Sequence, residues 1–230
     1  MARPTLLLVS MLSIVALGAG AAGAEVLIGL ATPLTGHMAW AGASNQVGAE
    51  SAIADLNAKG GVLDERIELL VVDDACQPDQ AVAAAAKLVD AGVVLAIGHH
   101  CSIASIPASR IYAAAGALMM SPFSTNPKLT EQGLATAFRI CGRDDVQGRV
   151  AGDLLAERFG ARLIAIVHES AVYGQGLAAE TKKRLNERGV AEVMLEAIEP
   201  GQAEYSDIVH KMQTAGVGVR TMPASGGRQG

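Results

Sequence analysis

Three features of the chain predict an α/β fold built on parallel sheet. Short continuous apolar runs recur along it, amphipathic stretches separate them, and glycines stand where those stretches end. A continuous apolar run, unlike an alternating one, fits a strand buried on both faces, the usual situation in a parallel sheet. Strands alternating with helices then imply right-handed crossovers.

Taken in order, the predicted strands are Val26–Ala31, Ile67–Asp73, Val93–Ile97, Ala117–Met120, Leu163–Val167 and Val193–Ala197. Between them, Val82, Ala85, Ala86 and Val89 repeat at helical spacing, as do Tyr205, Ile208, Val209 and Met212. Gly60-Gly61, Gly92 and Gly189 are placed to stop helices, since glycine accepts the left-handed conformation that ends them. From about Ser121 to Gly142 the rhythm breaks around Pro122, Pro127 and Gly133, which reads as a crossover between two lobes. Two Rossmann-like lobes with parallel sheets are therefore expected: 25–120 for the first, 121–143 for the crossover and hinge, 144–218 for part of the second.

The N-terminus predicts export. Arg3 precedes an apolar stretch, Leu6 to Leu17, and Ala22-Gly23-Ala24 offers a small-x-small cleavage pattern before Glu25. Residues 1–24 thus read as a signal peptide cleaved after Ala24, giving a periplasmic protein, and no lipobox cysteine lies nearby. A net charge of −5 removes the electrostatic case for nucleic acid or anionic lipid as partner. With half its residues hydrophobic, the chain is too apolar to be disordered. In an oxidising compartment Cys76, Cys101 and Cys141 allow one disulfide and one remaining thiol. Cys76–Cys101 is the favoured pair, because each follows a predicted strand and neighbouring strands would bring them together.

No catalytic constellation is legible. There is no G-x-S-x-G, no H-E-x-x-H and no pair of carboxylates with a cleft role. Asp73-Asp74 and Asp144-Asp145 read as strand-end and helix-start acids. His99-His100-Cys101 lacks a second ligand set, so no metal is expected. Gly174-Gln175-Gly176 with Ala179 mimics a dinucleotide fingerprint, but Glu169 to Tyr173 separate it from its strand, so no cofactor is expected either.

A set of loop motifs carries a resemblance. Pro33-Leu34-Thr35-Gly36 follows the first strand, and Asp55-Leu56-Asn57-Ala58-Lys59-Gly60-Gly61 closes the first helix. Asp73-Asp74-Ala75-Cys76-Gln77-Pro78 follows the second strand and Ile97-Gly98-His99-His100-Cys101-Ser102 the third. Ser121-Pro122, Thr125 and Asn126-Pro127 come after the fourth; Ile166-Val167-His168 and Tyr173-Gly174-Gln175-Gly176 stand in the second lobe. In this order and spacing they resemble the Leu/Ile/Val-binding receptors of branched-chain amino-acid ABC importers, which have the type I periplasmic-binding-protein fold.

The resemblance implies that Ser102 and Thr125 hold a ligand α-carboxylate, and that Thr125 with the Phe123 carbonyl holds the α-ammonium. Elementary physics is compatible with that role for Ser102, which is placed at the start of a helix beyond the end of a strand. By the same resemblance Tyr173 closes over the ligand side chain from the second lobe. Trp40, shifted by one residue from the family's aromatic position, and His100 and Phe123, where relatives carry smaller or apolar groups, are further wall candidates. The implied function is an exported receptor that binds branched-chain or similar aliphatic amino acids by hinge closure and delivers them to an inner-membrane permease. A sensor module serving a kinase or chemoreceptor, or a non-functional truncated fragment, are the alternatives. The resemblance fades after about Val217, and residues 219–230, polar, glycine-rich and aperiodic, read as a frameshifted tail that leaves the fold incomplete at its C-terminus.

Overall fold

A computed structural model describes residues 25–221. The signal-peptide reading, on residues 1–24, and the tail from 222 onward fall outside them. The first unit is a parallel sheet of β1 (Glu25–Thr32), β2 (Arg66–Asp73), β3 (Leu95–Gly98), β4 (Leu118–Ser121) and β5 (Ala137–Arg139). Its strand order is β2-β1-β3-β4-β5. The connecting helices are α1 (Ala39–Ala58), α2 (Pro78–Asp90), α3 (Ser102–Ala114) and the single turn α4 (Lys128–Glu131). The second unit opens with α5 (Asp144–Phe159) and continues through β6 (Ile164–Glu169), α6 (Val172–Glu187), β7 (Met194–Ile198), α7 (Ser206–Thr214) and β8 (Val219–Thr221). Its sheet runs β7-β6-β8, again parallel.

The predicted strands all form, each within a residue or two of its apolar run. Gly60, Gly92 and Gly189 follow α1, α2 and α6 with positive φ, as helix-stopping glycines should. The segment predicted as a crossover does more than cross. It contributes α4 and an edge strand, β5, to the first sheet, so the chain leaves that unit only at about residues 140–143. Likewise the first residues of the predicted tail, Val219–Thr221, pair with β6.

Alanine dominates the first core. Ala81, Ala85, Ala104 and Ala108 bring α2 and α3 close to each other and to Ala31, Ala96 and Met119 on one sheet face, with Leu88 and Tyr112 filling the gaps. On the other face α1 packs mainly on β1 and β2. Leu118, Met120 and Phe138 there are exposed, so the predicted burial on both faces fails at this end of the sheet. In the second unit β6 is covered on both sides: Ile164 and Ile166 meet Leu155, Ala178 and Leu185, while Ala165 and Val167 meet Met212. Helices α5 and α6 pack unusually close because Gly148 and Gly152 face Glu180 and Arg184. A Cβ at either glycine would lie 2.5 or 2.6 Å from the facing side chain's Cβ.

Candidate ligand-binding site

The carboxyl ends of β3 and β4 are neighbours, and the loops leaving them are tied together from below. Ser121 Oγ donates to the His99 carbonyl at 2.8 Å, and Ser124 Oγ bonds the His100 carbonyl at 3.1 Å. Ser105, from α3, also donates to the His99 carbonyl, at 3.0 Å. Arg139 Nη1 donates to the Ser124 carbonyl at 2.7 Å, anchoring the same loop from β5. Buried hydroxyls thus spend their hydrogen bonds on fixing one loop against the other. That fixes Phe123 and Thr125 relative to His100 and Ser102.

Ser102 is the first residue of α3, not its cap: Cys101 holds the cap position, with extended backbone angles. The Ser102 hydroxyl accepts from the Asn126 amide at 3.2 Å, so its own proton remains free to donate. The first intrahelical bonds come from Ala104 and Ser105, both to the Cys101 carbonyl, so the Ser102 and Ile103 amides precede them. A hydroxyl proton and helix-start amides together form a feature suited to a carboxylate. Thr125 sits half-buried across the loop, its carbonyl accepting from the Asp144 amide at 3.0 Å.

The aromatic candidates divide. Phe123 is 60% exposed and stacks on His100, ring centroids 4.5 Å apart and 13° from parallel. The two rings stand two residues ahead of Thr125 and Ser102 respectively, so they form a wall beside both. Trp40 lies in the first turn of α1, 53% exposed, at the same end of the sheet but in no ring contact. Tyr173 comes from the other unit, in the first turn of α6, half-buried. Burial raises its phenol, with the Gln147 side chain pulling it back. That turn approaches the first unit: a Cβ on Gly176 would lie 3.4 Å from Asn126 Nδ2, and α3 touches α6. Two concavities among the described residues lie away from these side chains. One is lined by Glu196, Glu199, Tyr205, Asp207 and Lys211, another by the α5–α6 ion pairs; neither includes Ser102, which is buried, or Thr125, which is half-buried.

His99, His100 and Cys101 each have other work, so they do not converge on a metal. His99 Nδ1 meets Asp74 Oδ2 at 2.6 Å with both residues fully buried, and Tyr112 Oη lies 3.3 Å from Nε2. His100 Nδ1 lies 3.1 Å from Asn45 Nδ2. Cys101 forms the predicted disulfide with Cys76, Cα atoms 5.5 Å apart. The reason for that pairing differs from the prediction, because β2 and β3 are not adjacent: they flank β1, and the bridge crosses over its end. Separating the two cysteines by serine substitution is expected to cost about 3 kcal/mol, from the loop of 25 residues it closes. Urea unfolding of the Cys76→Ser/Cys101→Ser chain beside the oxidised one measures this.

Sequence reasoning missed Asp144. Its sequence position reads as an ordinary helix-start acid, which fits its neighbour Asp145, paired with Arg143 at 2.9 Å. Asp144 instead is wholly buried, and neither carboxylate oxygen accepts a hydrogen bond of normal geometry, although the Thr125 hydroxyl lies close. Burial pushes its carboxyl above the usual range; Thr125 and Arg139 oppose the rise, while Asp145 and Glu180 add to it. An acid whose folded-state pKa is raised favours the fold while protonated and opposes it once ionised. Stability should therefore fall as pH rises from the ordinary carboxylate range through the raised value. Asp144→Asn should raise neutral-pH stability by on the order of 1 kcal/mol, because the amide cannot ionise in a site that disfavours the charge. The gain should vanish toward pH ~3, below the carboxylate range, as thermal melts of both chains across pH would reveal.

Comparison with known proteins agrees with this layout. A family model described as periplasmic binding protein matches residues 25–229. The Leu/Ile/Val-binding protein homolog 1 of Brucella melitensis is 46% identical over 211 residues, covering 92% of this chain. The chain spans 57% of that relative's length. A type 1 periplasmic binding protein from Bordetella pertussis superposes with TM-score 0.78 at 26% identity, over 86% of this chain and 55% of that one. An ABC transporter substrate-binding protein from Desulfitobacterium hafniense, solved in complex with Leu, gives TM-score 0.68 at 28% identity, over 86% and 58%.

Proposed function

Because the chain belongs to the periplasmic binding protein family and has the type I fold, we propose that it is a solute-binding receptor of an ABC importer. Its ligands are branched-chain or similar aliphatic amino acids, held between the two units and enclosed by hinge closure. The observation that carries this reading is the shared edge of β3 and β4. There a free serine hydroxyl proton and helix-start amides at Ser102 stand beside the Thr125–Asn126 loop, and the first turn of α6, which carries Tyr173, approaches Asn126.

In this mechanism the α-carboxylate binds Ser102 and Thr125. The α-ammonium binds Thr125 and the Phe123 carbonyl, and Tyr173, with Trp40 at the rim, covers the side chain. Closure follows from differential affinity: a ligand touching both units favours the arrangement in which both touch it. The chain performs no chemistry in this account; ATP is hydrolysed by the transporter, and an inner-membrane permease receives the closed form. Family membership supports a periplasmic location, with the signal peptide removed after Ala24. Among the described residues no helix is long and apolar enough to cross a membrane.

Titration calorimetry of the chain against single L-amino acids tests the reading. Heat and saturable binding are expected for aliphatic L-amino acids, and none for their α-keto or decarboxylated analogues, which lack one of the two anchored groups. A cooperatively folded chain that binds no amino acid would overturn it.

A further inference from the structure

We propose that His100 determines specificity, selecting among small branched amino acids those whose side chain carries a hydrogen-bond acceptor, as threonine does and valine does not. The inference rests on the reading of Ser102 and Thr125 as the anchors of the α-groups. Its starting point is the way the imidazole is held. Asn45, on α1, points its amide nitrogen at two acceptors: Thr32 Oγ1 at 3.0 Å and His100 Nδ1 at 3.1 Å. Thr32 is fully buried at the end of β1, so the amide is pinned to the sheet. With a hydrogen directed at Nδ1, that nitrogen accepts and the ring proton resides on Nε2.

Two further observations hold the ring in this state. Burial lowers the His100 pKa, keeping the imidazole neutral and Nδ1 able to accept. Phe123 stacks on its face, fixing the ring plane. Among the described residues Nε2–H has no hydrogen-bond partner, and it is not among the buried atoms left unsatisfied, so it meets solvent. A buried ring, held in plane by Phe123, thus keeps one donor unspent, two residues ahead of Ser102.

A ligand anchored at Ser102 and Thr125 lays its side chain against the His100–Phe123 wall. A purely aliphatic side chain would strip water from Nε2–H and return nothing, leaving a buried unpaired donor. A hydroxyl of the same size replaces that water. Threonine and valine are close in shape, so their difference isolates this one bond.

The test is calorimetry on the full chain with L-threonine, L-valine and L-leucine, for the wild type, His100→Leu, His100→Gln and Asn45→Leu. Wild type should bind threonine about tenfold more tightly than valine, one good hydrogen bond's worth. His100→Leu should reverse the order. His100→Gln, which keeps a donor, should retain part of the preference, and it carries the test if the leucine variant does not fold. Asn45→Leu should bind amino acids with the preference reduced. Nitrogen-15 spectra of the wild-type imidazole should report the Nε2-protonated tautomer. Valine binding as tightly as threonine, or an unchanged ratio in both His100 variants, overturns the inference and leaves the amino-acid reading standing. If a folded chain binds none of the three, nor any other amino acid, the reading itself fails and takes the inference with it.

Discussion

Replacing Asp74 by alanine is expected to lower the melting temperature by roughly 10 °C, from a loss of about 3 kcal/mol or more. Asp74 and His99 are both fully buried, 2.6 Å apart, and Asp74 also accepts from the Cys76 amide at 2.9 Å. Removing the carboxylate leaves two buried donors without an acceptor, which costs far more than the net worth of the bonds themselves. The damage should spread, because the His99 carbonyl is where Ser105, Ser121 and Ser124 converge. Asp74→Asn, which keeps an acceptor at the same place, should lose less. Calorimetric melts of both variants test the ranking; an alanine variant as stable as wild type would remove the pair from the account of what holds the β3 and β4 loops.

Much of this arrangement was legible from sequence, and the reason is local. Strands such as Val93–Ile97 announce themselves because a run of apolar residues has no other favourable place than a sheet interior. Helix ends were legible because Gly60, Gly92 and Gly189 are needed for a positive φ. Ser102 and Thr125 stand out through the loop motifs around them, and the proximity of their two loops follows from β3 and β4 being neighbours.

What stayed hidden depends on distant partners. β5 is three residues long at a sheet edge, with only Ala137 buried, so it leaves almost no apolar signature. Asn45 looks like any polar residue on α1 until Thr32 and His100 are placed beside it, and the two lie 13 and 55 positions away. Asp144 has the signature of a helix-start acid, and only the packing of α6 and the Thr125–Asn126 loop around it reveals its isolation. The exposed face formed by Leu118, Met120 and Phe138 was invisible for a different reason: apolar character states what a surface tolerates, and whether anything covers it is decided elsewhere in the fold.

The largest functional effect is expected at the two anchors. Ser102→Ala together with Thr125→Val should weaken amino-acid binding by at least about a hundredfold, since each removes a hydrogen bond to a charged group worth roughly 1.5–3 kcal/mol. Structure should suffer much less. Ser102 Oγ contributes one intramolecular bond, from the Asn126 amide, and Thr125 holds Asp144 through its backbone carbonyl, which valine retains. Thr125→Val does withdraw the hydroxyl that favours the charged form of Asp144, so the neutral-pH melting temperature should drop slightly, by less than in Asp74→Ala. The two effects therefore separate: a folded variant with lost affinity points to anchoring, whereas parallel loss of both points to a merely structural role. Ser102→Thr sharpens the distinction, because it keeps the hydroxyl at the helix start and should keep most of the affinity. If the double variant binds amino acids as tightly as wild type, the ligand does not lie at the ends of β3 and β4, and the family's binding mode does not carry over to this chain.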